Sequence, residues 1–146
     1  MIPRSGRTGH IPLLRRATTV AATLLVSAAS ALAFAPAASA DTHVCTTRYD
    51  GRFCSGEVAF EALGEHLIIK DIHKDGHGVK GYLQQYYDFK WHWVSPSSGR
   101  YHGKGAGTEV DVNYSVPDGR YVRIKACLSE AGGPGFACSG WQEDRA

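Results

Sequence analysis

Four side chains within one seven-residue stretch, Asp71, His73, Asp75 and His77, are of the types that hold a metal ion or move protons. The run Asp71-Ile72-His73-Lys74-Asp75-Gly76 echoes the DxDxDG opening of a calcium loop. Calcium takes oxygen ligands, and the EF-hand loop closes with an acidic residue at its twelfth position. Here an imidazole stands at the second ligand position and Tyr82 at the twelfth, so the calcium reading fails. A zinc or copper site depends on the turn. A two-residue Asp75-Gly76 turn points His73 and His77 to opposite faces, whereas a three-residue Lys74-Asp75-Gly76 loop sets them opposite each other with Asp71 on the same face. The second register is preferred. It also gathers Leu67, Ile69, Val79 and Leu83 on one face, although it places Lys70 opposite Lys80. Histidines at a hairpin tip are more often solvated than ligating, and no metal is assigned.

Two other groups invite contact with a ligand. Ser95 to Gly107 is a thirteen-residue stretch rich in Gly and Ser. Its Arg100, Tyr101, His102 and Lys104 are the expected binding residues, since Tyr and Arg are enriched at interfaces and long loops are often functional. Phe89, Trp91 and Trp93 share one face of an alternating segment whose other face carries Lys90 and His92. Such a stripe serves either as a sugar-binding platform or as the aromatic core of a small sandwich, and the core reading is preferred. No catalytic residue is assigned: the chain has no nucleophile elbow, no HExxH and no glycine-rich phosphate loop.

The elements that must position these residues are strands. Glu57 to Leu63 alternates with a period of two, and Gly64 breaks it. His66 to Tyr87 reads as two strands of a hairpin joined at Lys74-Asp75-Gly76. Val110–Val116 and Arg120–Leu128 flank Pro117-Asp118-Gly119 and read as a second hairpin, with Val112 opposite Ile124, Val110 opposite Ala126 and Asp111 opposite Lys125. Gly132-Gly133-Pro134-Gly135 turns the chain into a last hairpin, with Trp141 just beyond. No stretch of ten or more residues after Asp41 has helical spacing. The predicted fold is all-β: a small antiparallel β-sandwich of the immunoglobulin-like size class, with about eight strands and two disulfides.

Residues 1–40 read as a targeting segment. Arg4, Arg7, Arg15 and Arg16 precede an uncharged Ala/Leu/Val-rich run, which ends in Ala38-Ser39-Ala40. That order is a secretory signal peptide, with cleavage expected after Ala40 and one secreted domain over residues 41–146. Loss of those four arginines leaves twelve basic against fourteen acidic side chains, a net charge of −2 with His neutral. Neither a nucleic acid nor a membrane is expected as partner. Cys45, Cys54, Cys127 and Cys138 all follow Asp41, and an even count in an exported chain reads as disulfides. Four cysteines allow three pairings; proximity favours Cys45–Cys54 and Cys127–Cys138.

The signal ending Ala38-Ser39-Ala40, the pattern Val58-Ala59-Phe60 … Lys70 to Gly76, and the closing run Gly119 to Cys127 … Cys138-Ser139-Gly140-Trp141 together resemble the small secreted two-disulfide β-sandwich proteins of filamentous actinomycetes. The resemblance implies a fold and an extracellular address, since such proteins are largely without assigned activity. The α-amylase inhibitors of similar organisms share the size and disulfide count, but Gly99-Arg100-Tyr101 lacks the Trp of their inhibitory motif. The resulting expectation is an extracellular non-enzymatic binding protein without a cofactor, acting on an extracellular protein or glycan. A small ribonuclease-like hydrolase and a cell-envelope structural protein are the alternatives.

Overall fold

Alternation of apolar and polar residues builds the strands. In Gly56–Glu61, Val58 and Phe60 are fully buried while Glu57 and Glu61 turn away; in Tyr121–Ser129, Val122, Ile124, Ala126 and Leu128 are inside and Tyr121, Arg123 and Lys125 are outside. The computed structural model describes residues 41–50 and 53–146. Residues 1–40, and with them the signal-peptide reading, lie outside the described residues, as do residues 51 and 52. The strands are β1 Thr42–Cys45, β2 Tyr49–Asp50, β3 Phe53–Cys54, β4 Gly56–Glu61, β5 His66–Asp71 and β6 Gly78–Tyr87, followed by β7 Lys90–Trp93, β8 Arg100–His102, β9 Thr108–Asn113, β10 Tyr121–Ser129, β11 Gly135–Phe136 and β12 Gln142–Arg145. No helix occurs among the described residues. The count exceeds the expected eight because β2, β3, β8 and β11 are too short to show a period of two.

One sheet has the order β1-β4-β5-β9. The other has the order β11-β10-β6-β7, with β12 also on β10 and β8 also on β6, and β2 and β3 form a small ribbon. All pairings are antiparallel. Val58, Phe60, Leu67 and Ile69 of the first sheet pack against Val79, Leu83, Val122, Ile124, Ala126 and Leu128 of the second. The sheets come close where glycine removes a side chain. A Cβ at Gly81 would lie 2.7 Å from Cγ1 of Ile69, and one at Gly56 would collide with Val79.

Both long hairpins expected from the sequence are overturned. β5 pairs with β4 and β9, not with β6, and β10 pairs with β6, β11 and β12, not with β9. Val112 therefore lies opposite Leu67 rather than Ile124, and Asp111 opposite Ile68 rather than Lys125. The segments 72–77 and 114–120 cross from one sheet to the other. A strand that follows a turn can bury its apolar face by pairing beside its predecessor or by folding over it, and the alternation is the same in both cases. Here both edges of β5 and of β10 are already occupied. The crossing also separates Lys70 from Lys80 and removes the repulsion a hairpin would impose.

The disulfides are Cys45–Cys54 and Cys127–Cys138, the near-neighbour pairing. Two such bonds fit an extracellular or otherwise oxidising environment. The last hairpin forms as expected, with Leu128 opposite Phe136 and Ser129 opposite Gly135.

Filling the gap at Gly81 forces the sheets apart. Gly81→Ala is expected to cost about 1–3 kcal/mol in denaturant unfolding, and Ile69→Val in the same chain to recover part of that loss.

Candidate functional site

The parity of β6 decides what faces solvent. Val79, Gly81 and Leu83 point into the core, so Tyr82, Gln84 and Tyr86 point out. β7 pairs on β6 with Trp93 opposite Gln84 and Trp91 opposite Tyr86. Both indoles therefore lie on the outer face, and the reading of Phe89, Trp91 and Trp93 as core is overturned. Trp93 is 45% exposed and Phe89, at the tip of the β6–β7 turn, 96% exposed. The interior is already filled with aliphatic side chains, and β7 lies at the edge of its sheet.

On that face the aromatic rings interleave with cations. The Arg123 guanidinium carbon lies 4.3 Å from the ring centroid of Trp91 and 4.5 Å from that of Trp141. Lys125 Nζ lies 5.6 Å from Trp141 and 5.9 Å from Tyr82. Trp93 closes the group, 6.0 Å from Trp141 and 6.1 Å from Tyr82. These separations are those of cation–π and tilted aromatic pairs. Arg123 Nε donates to Gln84 Oε1 at 2.8 Å, which holds the guanidinium plane between the two indoles. Burial between the rings pulls the Arg123 guanidinium below its usual value, and the charge of Glu143 pulls the other way. Trp141 is placed by main-chain pinning: Ser139 N donates to Ala126 O at 2.8 Å, and Ala126 N donates to Ser139 Oγ at 3.0 Å. The Cys127–Cys138 disulfide ties the same segment to β10. Beside the ladder Tyr86, Trp91, Tyr121 and Glu143 line an open cleft of about 430 Å³. Flat apolar rings with a carboxylate at their edge suit a pyranose, whose C–H face stacks while its hydroxyls donate hydrogen bonds.

A second cleft, of about 210 Å³, lies where the 72–77 crossing meets β8, and Asp71, His73, His77 and Tyr101 are among its walls. Asp71 is only 3% exposed, and its Oδ1 has no hydrogen-bond partner. Burial raises the Asp71 carboxyl above its ordinary 3.8, the charge of Asp75 adds to the rise, and His102 and His73 oppose it. Asp75 Oδ1 accepts from His77 N at 3.0 Å, and Gly76 has φ +80°, so both shape the turn. Arg48 Nη1 lies 2.9 Å from His77 Nε2. With Arg48 as the donor, His77 Nδ1 carries the proton and faces Glu130 Oε1 at 3.6 Å. His73 and His77 thus share a cleft but are not cross-strand partners. Among the described residues the only trio of possible ligand atoms within 4.8 Å of one another is Cys45, Cys54 and Glu57, whose sulfurs are already bonded to each other.

The residues expected to bind are divided by the fold. Arg100, Tyr101 and His102 form β8 on β6 rather than an open loop. Arg100 and Lys104 are exposed, and Tyr101 is half-buried. His102 is buried, its Nε2 2.8 Å from Thr108 Oγ1, and the Thr108 hydroxyl donates onward to Gly105 O. That relay leaves His102 Nε2 as the donor. Tyr82, Tyr86, Arg123, Lys125 and Trp141 were not singled out from sequence. Alternation with buried partners marks Tyr82, Tyr86, Arg123 and Lys125 as outward-facing, while Trp141 precedes β12 outside any strand, and only the tertiary fold makes the five neighbours. Comparison with known protein families, characterised proteins and solved structures finds no match to this chain.

The raised Asp71 carboxyl binds its proton more tightly in the folded than in the unfolded chain. Its contribution to stability is full below 3.8 and is lost as pH rises through the folded value. Asp71→Asn is therefore expected to raise the Tm at pH 7, with the gain shrinking towards pH 3.5 in a series of thermal melts.

Proposed function

We propose that the protein is a secreted, non-enzymatic binding protein that holds an extracellular glycan on the outer face of its six-stranded sheet. One observation carries the reading: Trp91, Trp93 and Trp141 lie on a solvent face instead of in the core, Trp91 and Trp141 braced by Arg123 and Lys125 and Trp93 packed on Trp141. A rigid aromatic platform loses little entropy on binding, and sugars present matching apolar faces. The disulfides and the expected signal peptide fit the extracellular setting. Trp fluorescence of the disulfide-bonded protein is expected to change with at least one of chitin, starch, xylan or acidic polysaccharide fragments. Trp93→Ala should weaken that binding about fivefold, since a stacked ring contributes about 1 kcal/mol. Silence across the whole panel removes the reading.

A second reading, a small hydrolase, draws on Asp71, whose raised carboxyl faces a cleft and interacts with His73 and His102. A buried acid beside imidazoles is a general acid–base arrangement. RNA degradation by the pure protein, abolished by Asp71→Asn, would support it, and intact RNA after prolonged incubation would end it.

A further inference from the structure

The positive charges on the aromatic face are only partly offset: Glu143, opposite Arg123 on β12, is the one acidic side chain set among Arg123, Lys125 and Arg145. Arg123 and Lys125 lie against rings, and Arg145 lies 4.0 Å from the Tyr121 ring centroid on the same sheet. Among the described residues none of the three has a carboxylate within 4.0 Å. The opposite sheet is built differently. Its outward residues include Glu57, Glu61, Glu109 and Asp111. Lys70 Nζ lies 3.9 Å from Glu57 and 3.8 Å from Glu109, and His66 Nδ1 lies 2.7 Å from Asp111. The sandwich thus presents an acidic, internally paired face on one side and a cationic aromatic face with spare charge on the other. A ring quadrupole steadies a cation without cancelling it, so the guanidinium and ammonium groups still attract an anion.

We infer that the glycan is acidic, a polysaccharide carrying carboxylate or phosphate groups, with sugar rings on Trp93 and Trp141 and its anionic groups paired to Arg123, Lys125 and Arg145. This rests on the glycan-binding reading and names its ligand class. Charge complementarity selects the occupant: a neutral polymer would use the rings and leave three cations idle, whereas an acidic one uses both.

The test is titration of the purified, disulfide-bonded protein with polygalacturonate and with the same polymer methyl-esterified, which keeps the sugar rings and removes the charge. Phosphorylated dextran beside unmodified dextran provides the phosphate arm, and single-stranded oligothymidylate is the competing polyanion. Acidic polymer is expected to bind at least tenfold more tightly than its ester, with affinity falling as salt rises. Lys125→Gln should cut that acidic-over-ester ratio about fivefold, the scale of one exposed ion pair. The salt series on the unaltered protein stands even if a ladder variant fails to fold. Equal affinity for acid and ester overturns the acidic assignment but leaves glycan binding in place. Binding of neither overturns the acidic assignment and leaves glycan binding to the chitin, starch and xylan arms; tighter binding of oligothymidylate than of any polysaccharide overturns both.

Discussion

Ile69 packs against the bare backbone of Gly81, and Val79 against that of Gly56. The rest of the arrangement follows from these contacts. They set which way β6 faces: Val79, Gly81 and Leu83 must point inward, so Tyr82, Gln84 and Tyr86 must point outward. Antiparallel pairing then passes that parity to both neighbours, placing Trp91 and Trp93 on one flank and Arg123 and Lys125 on the other. A one-residue slip in β6 would exchange the two faces and bury the charges. The aromatic surface is therefore a consequence of how the core is packed on the reverse side of the same strands.

Exposed indoles are usually held by whatever they bury against, and here the bracing groups are charged. Arg123 lies between Trp91 and Trp141, while Lys125 reaches both Trp141 and Tyr82. The long side chains cover apolar ring surface with their stems and keep their charges near water. Because Trp141 sits beyond the last disulfide, Cys127–Cys138 and the paired Ser139–Ala126 hydrogen bonds contribute to the site as well as to the fold. This arrangement is ordered without being buried, the condition for a binding surface that needs little reorganisation.

Much of the local structure was legible. The alternation in Glu57–Glu61, the Gly132–Gly135 turn and the near-neighbour cysteine pairing all appear as read. Lys74-Asp75-Gly76 and Pro117-Asp118-Gly119 were each read as a three-residue hairpin loop; both end on a glycine of positive φ, but they close different hydrogen bonds and each lies in a crossing between sheets. The site was less legible. Asp71, His73, Asp75 and His77 drew attention through their types, and three of them, Asp71, His73 and His77, do line one cleft with Tyr101. The expected binding group Arg100, Tyr101, His102 and Lys104 is split, because pairing of β8 on β6 buries His102 and leaves Lys104 outside. Trp91 and Trp93 were correctly placed on a common face, but that face was assigned to the wrong side.

By itself the sequence determined that the chain is all-β, where its strands alternate, where it turns and which cysteines lie near enough to pair, because these depend on neighbours a few residues apart. Only the tertiary structure decided whether a turn makes a hairpin or a crossing, which face of each strand is inside, and that Trp141 stands over Arg123. The physical reason is a degeneracy. A period of two states that a strand has one apolar face, and pairing beside a strand or packing across from it satisfies that face equally well. The choice falls to competition for strand edges over the whole chain, and the aromatic–cationic surface is set by its outcome.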